Sequence, residues 1–147
     1  MSTALLKGRQ FAVLLGGSAA ERDISLESGA NVAASLEAAG ATVIRVDPVE
    51  EHWPEKLQNV EFIFNLLHGP GGEDGTVQGL FDLMGLPYSG SGVLGSALTM
   101  DKVRTKQLWQ GIGLPTPAFD VLTPDSDWQG LIARLGVLFV KPAQQGS

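Results

Sequence analysis

At 147 residues, with 44% hydrophobic and 18% charged side chains, the sequence has the balance of a globular chain and not of a disordered one. It has no cysteine, which excludes disulfides, thiolate chemistry and cysteine-ligated zinc. A net charge of −6, with ten Lys and Arg scattered along the chain, argues against nucleic-acid binding, which needs clustered cations. No stretch approaches the roughly 18 uninterrupted apolar residues of a membrane helix.

In chain order, Lys7 and Arg9 precede an apolar run, Phe11–Leu15, which Gly16-Gly17 closes too early for the core of a signal peptide. Such a run predicts a strand covered on both faces. Ser25 is the expected N-cap of a helix carrying Leu26, Gly29, Ala33 and Leu36 on one side, with Gly40 as its left-handed stop. Thr42–Val46 predicts a second strand ended by Asp47-Pro48, and Trp53–Leu57 a helical turn. Phe62–Leu67 reads as a third strand, followed by a loop with Gly69, Gly71, Gly72 and Gly75. Val77, Leu80, Phe81 and Met84 then have helical spacing, in a helix expected from near Thr76 to Gly85. Strands alternating with helices describe half of a doubly wound α/β fold.

Further on, Leu86-Pro87-Tyr88 is expected as a fourth short strand, and Val93–Leu98 as a helix. Asp101 is the expected N-cap of a helix running from Lys102 to Ile112. Leu114-Pro115-Thr116-Pro117 forbids helix and reads as an extended linker. Beyond it come an expected strand (Ala118–Leu122), a helix opened by Pro124 (about Asp125–Leu135) and a strand (Val137–Lys141) running into Pro142–Ser147. Two strands and a helix cannot enclose a core by themselves, so the expectation is the N-terminal piece of a longer protein.

The chemistry concentrates at the ends of the strands, where α/β folds bind ligands. Gly16-Gly17-Ser18 either cradles a phosphate or is simply a tight turn; it lacks the GxGxxG pattern, and only Asp47 stands where an acid would bind a dinucleotide ribose. Glu21 would face the same crevice as the glycine-rich loop, as a partner for a ligand ammonium or as a solvated charge. His68 is either a hydrogen-bonding structural residue or part of the site. Asp74 suits a cap on the following helix, and Glu73 stays undecided. Lys141 ends an apolar strand and must neutralise, pair or meet an anion, for which a nucleotide phosphate is suitable.

Three segments, LLGGSAAERDISLESG, LHGPGGEDGTVQGLFDLMGLPYSGSGVLGSALTMDK and VKPAQQGS, resemble in order the D-alanine–D-alanine ligases, ATP-grasp enzymes of peptidoglycan synthesis. The resemblance covers essentially the whole chain. It implies a preATP-grasp, Rossmann-like parallel-sheet domain over residues 1–98 and the start of an α+β ATP-grasp domain over 99–147. It also implies a cytoplasmic enzyme, commonly a homodimer, that joins two D-alanines through an acyl phosphate formed with ATP. By that resemblance Glu21 would hold the ammonium of the first D-alanine, Ile24 would lie beside it and His68 would stand near its carboxylate. Lys102 and Lys141 would contact ATP phosphates, and Ser147 would be hydrogen-bonded to the ammonium-binding glutamate. The ligands for Mg²⁺ or Mn²⁺ are expected beyond Ser147, so that this piece alone would not catalyse ligation. Gln144 and Gln145 depart from the family's usual charged residue or serine. Other readings of the same residues are a ligase making D-alanyl-D-lactate or D-alanyl-D-serine, a non-catalytic binding module, and a nucleotide-binding regulatory domain.

Overall fold

The computed structural model describes residues 6–145. Its centre is a parallel three-stranded sheet of order β2-β1-β3, built from β1 (Gln10–Leu14), β2 (Thr42–Val46) and β3 (Phe62–Asn65). Phe11 pairs with Val43 on one side and Phe62 on the other, so the first strand of the chain is the central one. Side chains alternate across a strand, and β1 uses both faces. Ala12 and Leu14 join Val46, Ile63, Leu67 and Phe81 on one side, while Val13 and Leu15 meet Ala33 on the other. The continuous apolar run has the physical meaning expected of it: a strand with no polar face.

The Val13 face is covered by α1 (Arg22–Ala38), whose buried stripe is Ser25, Gly29 and Ala33. These are small residues four apart, and they bring the helix close to the sheet. A Cβ on Gly29 would lie 2.4 Å from the Leu15 Cβ. The opposite face is covered by a 3-10 turn (Trp53–Leu57) and by α2 (Thr76–Met84), whose Phe81 is fully buried and packs 5.3 Å, centroid to centroid, from Tyr88. The helices α3 (Val93–Met100), α4 (Lys102–Gly111) and α5 (Trp128–Leu135) follow.

Several expectations need correction. Ser25 does not cap α1: the helix begins earlier, with Glu21 at its N-cap, and Ser25 is completely buried in the first turns. The third strand ends at Asn65 and not at Leu67, because Asn65 turns its own side chain to the backbone, its Oδ1 accepting from the Leu67 amide at 3.2 Å. The fourth strand shrinks to one parallel bridge between Tyr88 and Ile63. Ala118–Leu122 and Val137–Lys141 form no ladder among the described residues, since a strand exists only where another strand offers its backbone. Val137 and Phe139 are about nine-tenths exposed instead of buried. The α5 helix starts at Trp128, three residues later than the proline suggests, with Asp127 accepting from the Gly130 amide as its cap.

Candidate functional site

The carboxyl ends of β1 and β3 face one another across the first turn of α1, and Ser25 fastens the three together. Its hydroxyl accepts from the Gly16 amide at 2.9 Å and donates to the Leu66 carbonyl at 2.7 Å. This one buried side chain satisfies a backbone donor at the end of β1 and a carbonyl just past β3, groups that a sheet end otherwise leaves unpaired.

Beyond Leu66 the chain folds into a compact turn held by its own acids. The Gly69 amide donates to Glu73 Oε2 at 2.6 Å, and the Gly71 amide to Asp74 Oδ2 at 2.8 Å. The other Asp74 oxygen accepts from the Thr76 amide at 3.0 Å, at the start of α2. Burial pushes the Asp74 carboxyl up, but the Gly71 and Thr76 hydrogen bonds outweigh it and leave the group below its ordinary range. Both acids therefore shape the loop. The Gly72 carbonyl accepts from Asn65 Nδ2 at 2.9 Å and from Gln78 Nε2 at 2.8 Å, tying the loop to β3 and α2. Gly75 has φ +94, and a Cβ there would sit 2.9 Å from the Val93 carbonyl, so only glycine fits.

Glu21 meets this loop. A Cβ on Gly69, which has φ +67, would lie 3.2 Å from Glu21 Oε2 and 3.2 Å from the Ala19 Cβ. The carboxylate thus rests against the backbone next to His68, which is half-buried. Among the described residues neither the Glu21 carboxylate nor the His68 ring has a hydrogen-bond or ion-pair partner within the protein, and Glu21 does not cap its own helix with its side chain. Ile24, one turn along α1, is 58% exposed. A carboxylate and an imidazole on adjoining loops, with a nearby apolar side chain, make a setting for a small zwitterion.

A concavity of about 740 Å³ lies in the C-terminal third. Four cations, Lys102, Lys106, Arg134 and Lys141, border it among Phe119, Leu131 and other apolar groups, against one acid, Asp120. Arg134 pairs with Asp120, and Lys106 donates to the Pro117 carbonyl at 2.9 Å. Lys102 reaches the Gln145 carbonyl, and its amide donates to the Ala143 carbonyl at 2.9 Å. Gln144 donates to Asp101 at 3.1 Å, and Asp101 also caps α4 by accepting from the Arg104 amide at 3.0 Å. The segment after Lys141 is therefore laid against the start of α4, bringing Lys102 and Lys141 to one cleft. Glu21, Ile24 and His68 do not line it. Ser147 lies outside the described residues.

Asp47, the acid at the end of β2, is paired with Arg22, a residue the sequence did not single out. Arg22 bonds the Gly17 carbonyl at 2.7 Å and Asp47 at 2.6 Å, and Asp47 in turn accepts from the Gly17 amide at 3.0 Å. Asp47 is buried inside this clamp, and nothing about it resembles a ribose ligand. The available signal was topological: an acid ending β2 and a cation opening the helix after β1 must adjoin in a parallel pair.

A family model described as the D-ala D-ala ligase N-terminus matches residues 47–91. A curated D-alanine–D-alanine ligase from Aromatoleum aromaticum is 52% identical over 140 residues, covering 94% of this chain and 45% of the relative. The solved D-alanine–D-alanine ligase from Bacillus anthracis superposes with a TM-score of 0.80 at 35% identity, covering 95% of this chain and 47% of that one. The same enzyme solved in complex with ATP gives 0.79 at 34% identity, with 94% and 48% covered. The chain thus spans about half the length of the ligases it matches. In sequence and in fold it is similar to the N-terminal portion of the D-alanine–D-alanine ligases.

Proposed function

We propose that the chain forms the first-substrate wall of an ATP-dependent D-alanine–D-alanine ligase, with residues 1–98 as its preATP-grasp domain and 99–147 opening the ATP-grasp domain. The observation that carries the reading is the Glu21 carboxylate set against Gly69, the residue after His68, with no hydrogen-bond or ion-pair partner among the described residues. Glu21 takes the ammonium of the first D-alanine, with Ile24 beside it and His68 near the substrate carboxylate. Lys102 and Lys141, together in a cation-lined cleft, take phosphate oxygens of ATP. In this reading a carboxylate oxygen of D-alanine attacks the γ-phosphorus and ADP departs. The amine of a second D-alanine then attacks the acyl carbon and expels phosphate. Protonated lysines neutralise the charge that this transfer concentrates and do not compete as nucleophiles.

Ser147 is assigned to the glutamate's hydrogen-bond partner by resemblance. So is the homodimer, and the substrates put the reaction in the cytoplasm. Among the described residues no group of three or more His, Asp or Glu is placed to hold a metal ion. In the complete protein that carries this chain, Glu21→Ala is expected to cost on the order of 3 kcal/mol in kcat/KM for D-alanine. Unchanged D-alanine kinetics would end the assignment, and a preference for D-lactate or D-serine as second substrate would relocate the activity within the family.

A further inference from the structure

We infer that the Arg22–Asp47 clamp is the positioning device for Glu21, an inference that rests on the ammonium-binding role given to Glu21 above. Glu21 is the N-cap residue of α1 and Arg22 its first helical residue, so whatever fixes Arg22 fixes the backbone from which the Glu21 carboxylate projects. The clamp is closed in both directions. The Arg22 guanidinium bonds the Gly17 carbonyl at 2.7 Å and Asp47 Oδ2 at 2.6 Å. The remaining Asp47 oxygen accepts from the Gly17 amide at 3.0 Å and the Val49 amide at 3.2 Å. Gly16 has φ +80, and a Cβ there would fall 2.5 Å from Asp47 Oδ2, so the glycine pair makes the room this arrangement uses.

Geometry makes the coupling one-directional. Neighbours one apart on a helix point in different directions: Arg22 bonds Gly17 and Asp47, whereas Glu21 lies against Gly69. The cation thus anchors the turn by pairing with Asp47 and not with the Glu21 carboxylate. Loss of the anchor leaves Glu21 in place chemically but loosens its placement against Gly69. Misplacement of a binding group by about 1 Å can cost as much as a hundredfold.

The test is a double-mutant cycle in the complete protein that carries this chain, with melting temperature followed for every variant. Asp47→Asn and Arg22→Gln are each expected to raise the KM for D-alanine at the first subsite roughly tenfold. The KM for ATP stays unchanged, because neither residue approaches the cleft of Lys102 and Lys141. Arg22→Lys, which keeps the charge on Asp47, recovers most of the loss. Combining Asp47→Asn with Glu21→Ala adds little to Glu21→Ala alone, since the clamp acts only through that carboxylate. Additive losses, or equal losses for D-alanine and ATP, would show a general structural role and overturn the inference while leaving the ligase reading intact. A Glu21→Ala variant with unchanged D-alanine kinetics would bring down the ligase reading and the clamp's role together.

Discussion

Asp47 shows how a single buried carboxylate can be read from its partners. Burial raises the affinity of a carboxyl for its proton, but the Arg22 hydrogen bond and the amides of Gly17 and Val49 outweigh it, and the group sits below its ordinary range. The folded protein therefore binds this proton less tightly than the unfolded chain. The clamp's contribution to stability is complete above the unfolded value of about 4 and is lost as pH falls through the lower folded value. Acid titrations of the melting temperature are expected to show the wild type losing stability below about pH 4 more steeply than Asp47→Asn, which has no carboxylate to protonate. Parallel acid limbs for the two proteins would mean that the clamp contributes nothing through its charge. Ser25 makes a contrasting point at the same scale: it is a buried polar residue with no titratable group, and its two hydrogen bonds join three chain segments.

Elements are where the sequence pattern and the fold agree best, and the exceptions have causes. The second strand, Thr42–Val46, and the helix ending at Gly85 lie where the pattern puts them, because one is a short β-branched run and the other is stopped by a glycine at φ +67. Asp101 caps α4 as its residue type suggests. Ser25 fails as a cap because the same hydroxyl finds better partners in the sheet, a tertiary choice that local spacing cannot reveal. Of the site, the approach of the Glu21 turn to the glycine loop could be anticipated from strand polarity, whereas the Arg22–Asp47 closure needed the strand order β2-β1-β3. Helix-to-sheet distance is a property of the element too. Gly29→Val in α1 forces a side chain into the Leu15 Cβ, a side-chain atom bonded directly to the backbone and so unable to swing away. Overpacking there is expected to cost about 1–3 kcal/mol, measured by denaturant unfolding. A loss below about 0.5 kcal/mol would mean that α1 can lift off the sheet freely.

At the scale of the whole molecule, the chain divides by hydrogen bonding more sharply than by composition. Each β1 backbone is bonded to both neighbours, and the ladder extends past its end through the Leu15 amide to Val46 and the Leu66 amide to Leu14. By contrast, Val137–Lys141 makes no backbone hydrogen bond among the described residues, and in Ala118–Leu122 one amide, that of Val121, bonds its neighbour's side chain at Asp120. Yet Val137, Phe139 and Val140 carry the composition of a buried strand. Composition records what a segment can do when paired, and pairing is decided by what else is present. Hydrogen exchange on the 147-residue chain separates the two. The amides of Ala12 to Leu14 are expected to open only with global unfolding, and those of Val137 to Val140 to exchange at rates near those of an unstructured peptide. Since an apolar, unladdered segment is also a template for pairing between chains, the measurement is made over a range of protein concentrations. Slow exchange at Val137 to Val140 that strengthens with concentration would show one copy laddering against another. Slow exchange independent of concentration would mean that these residues pair within the chain, contrary to the structure.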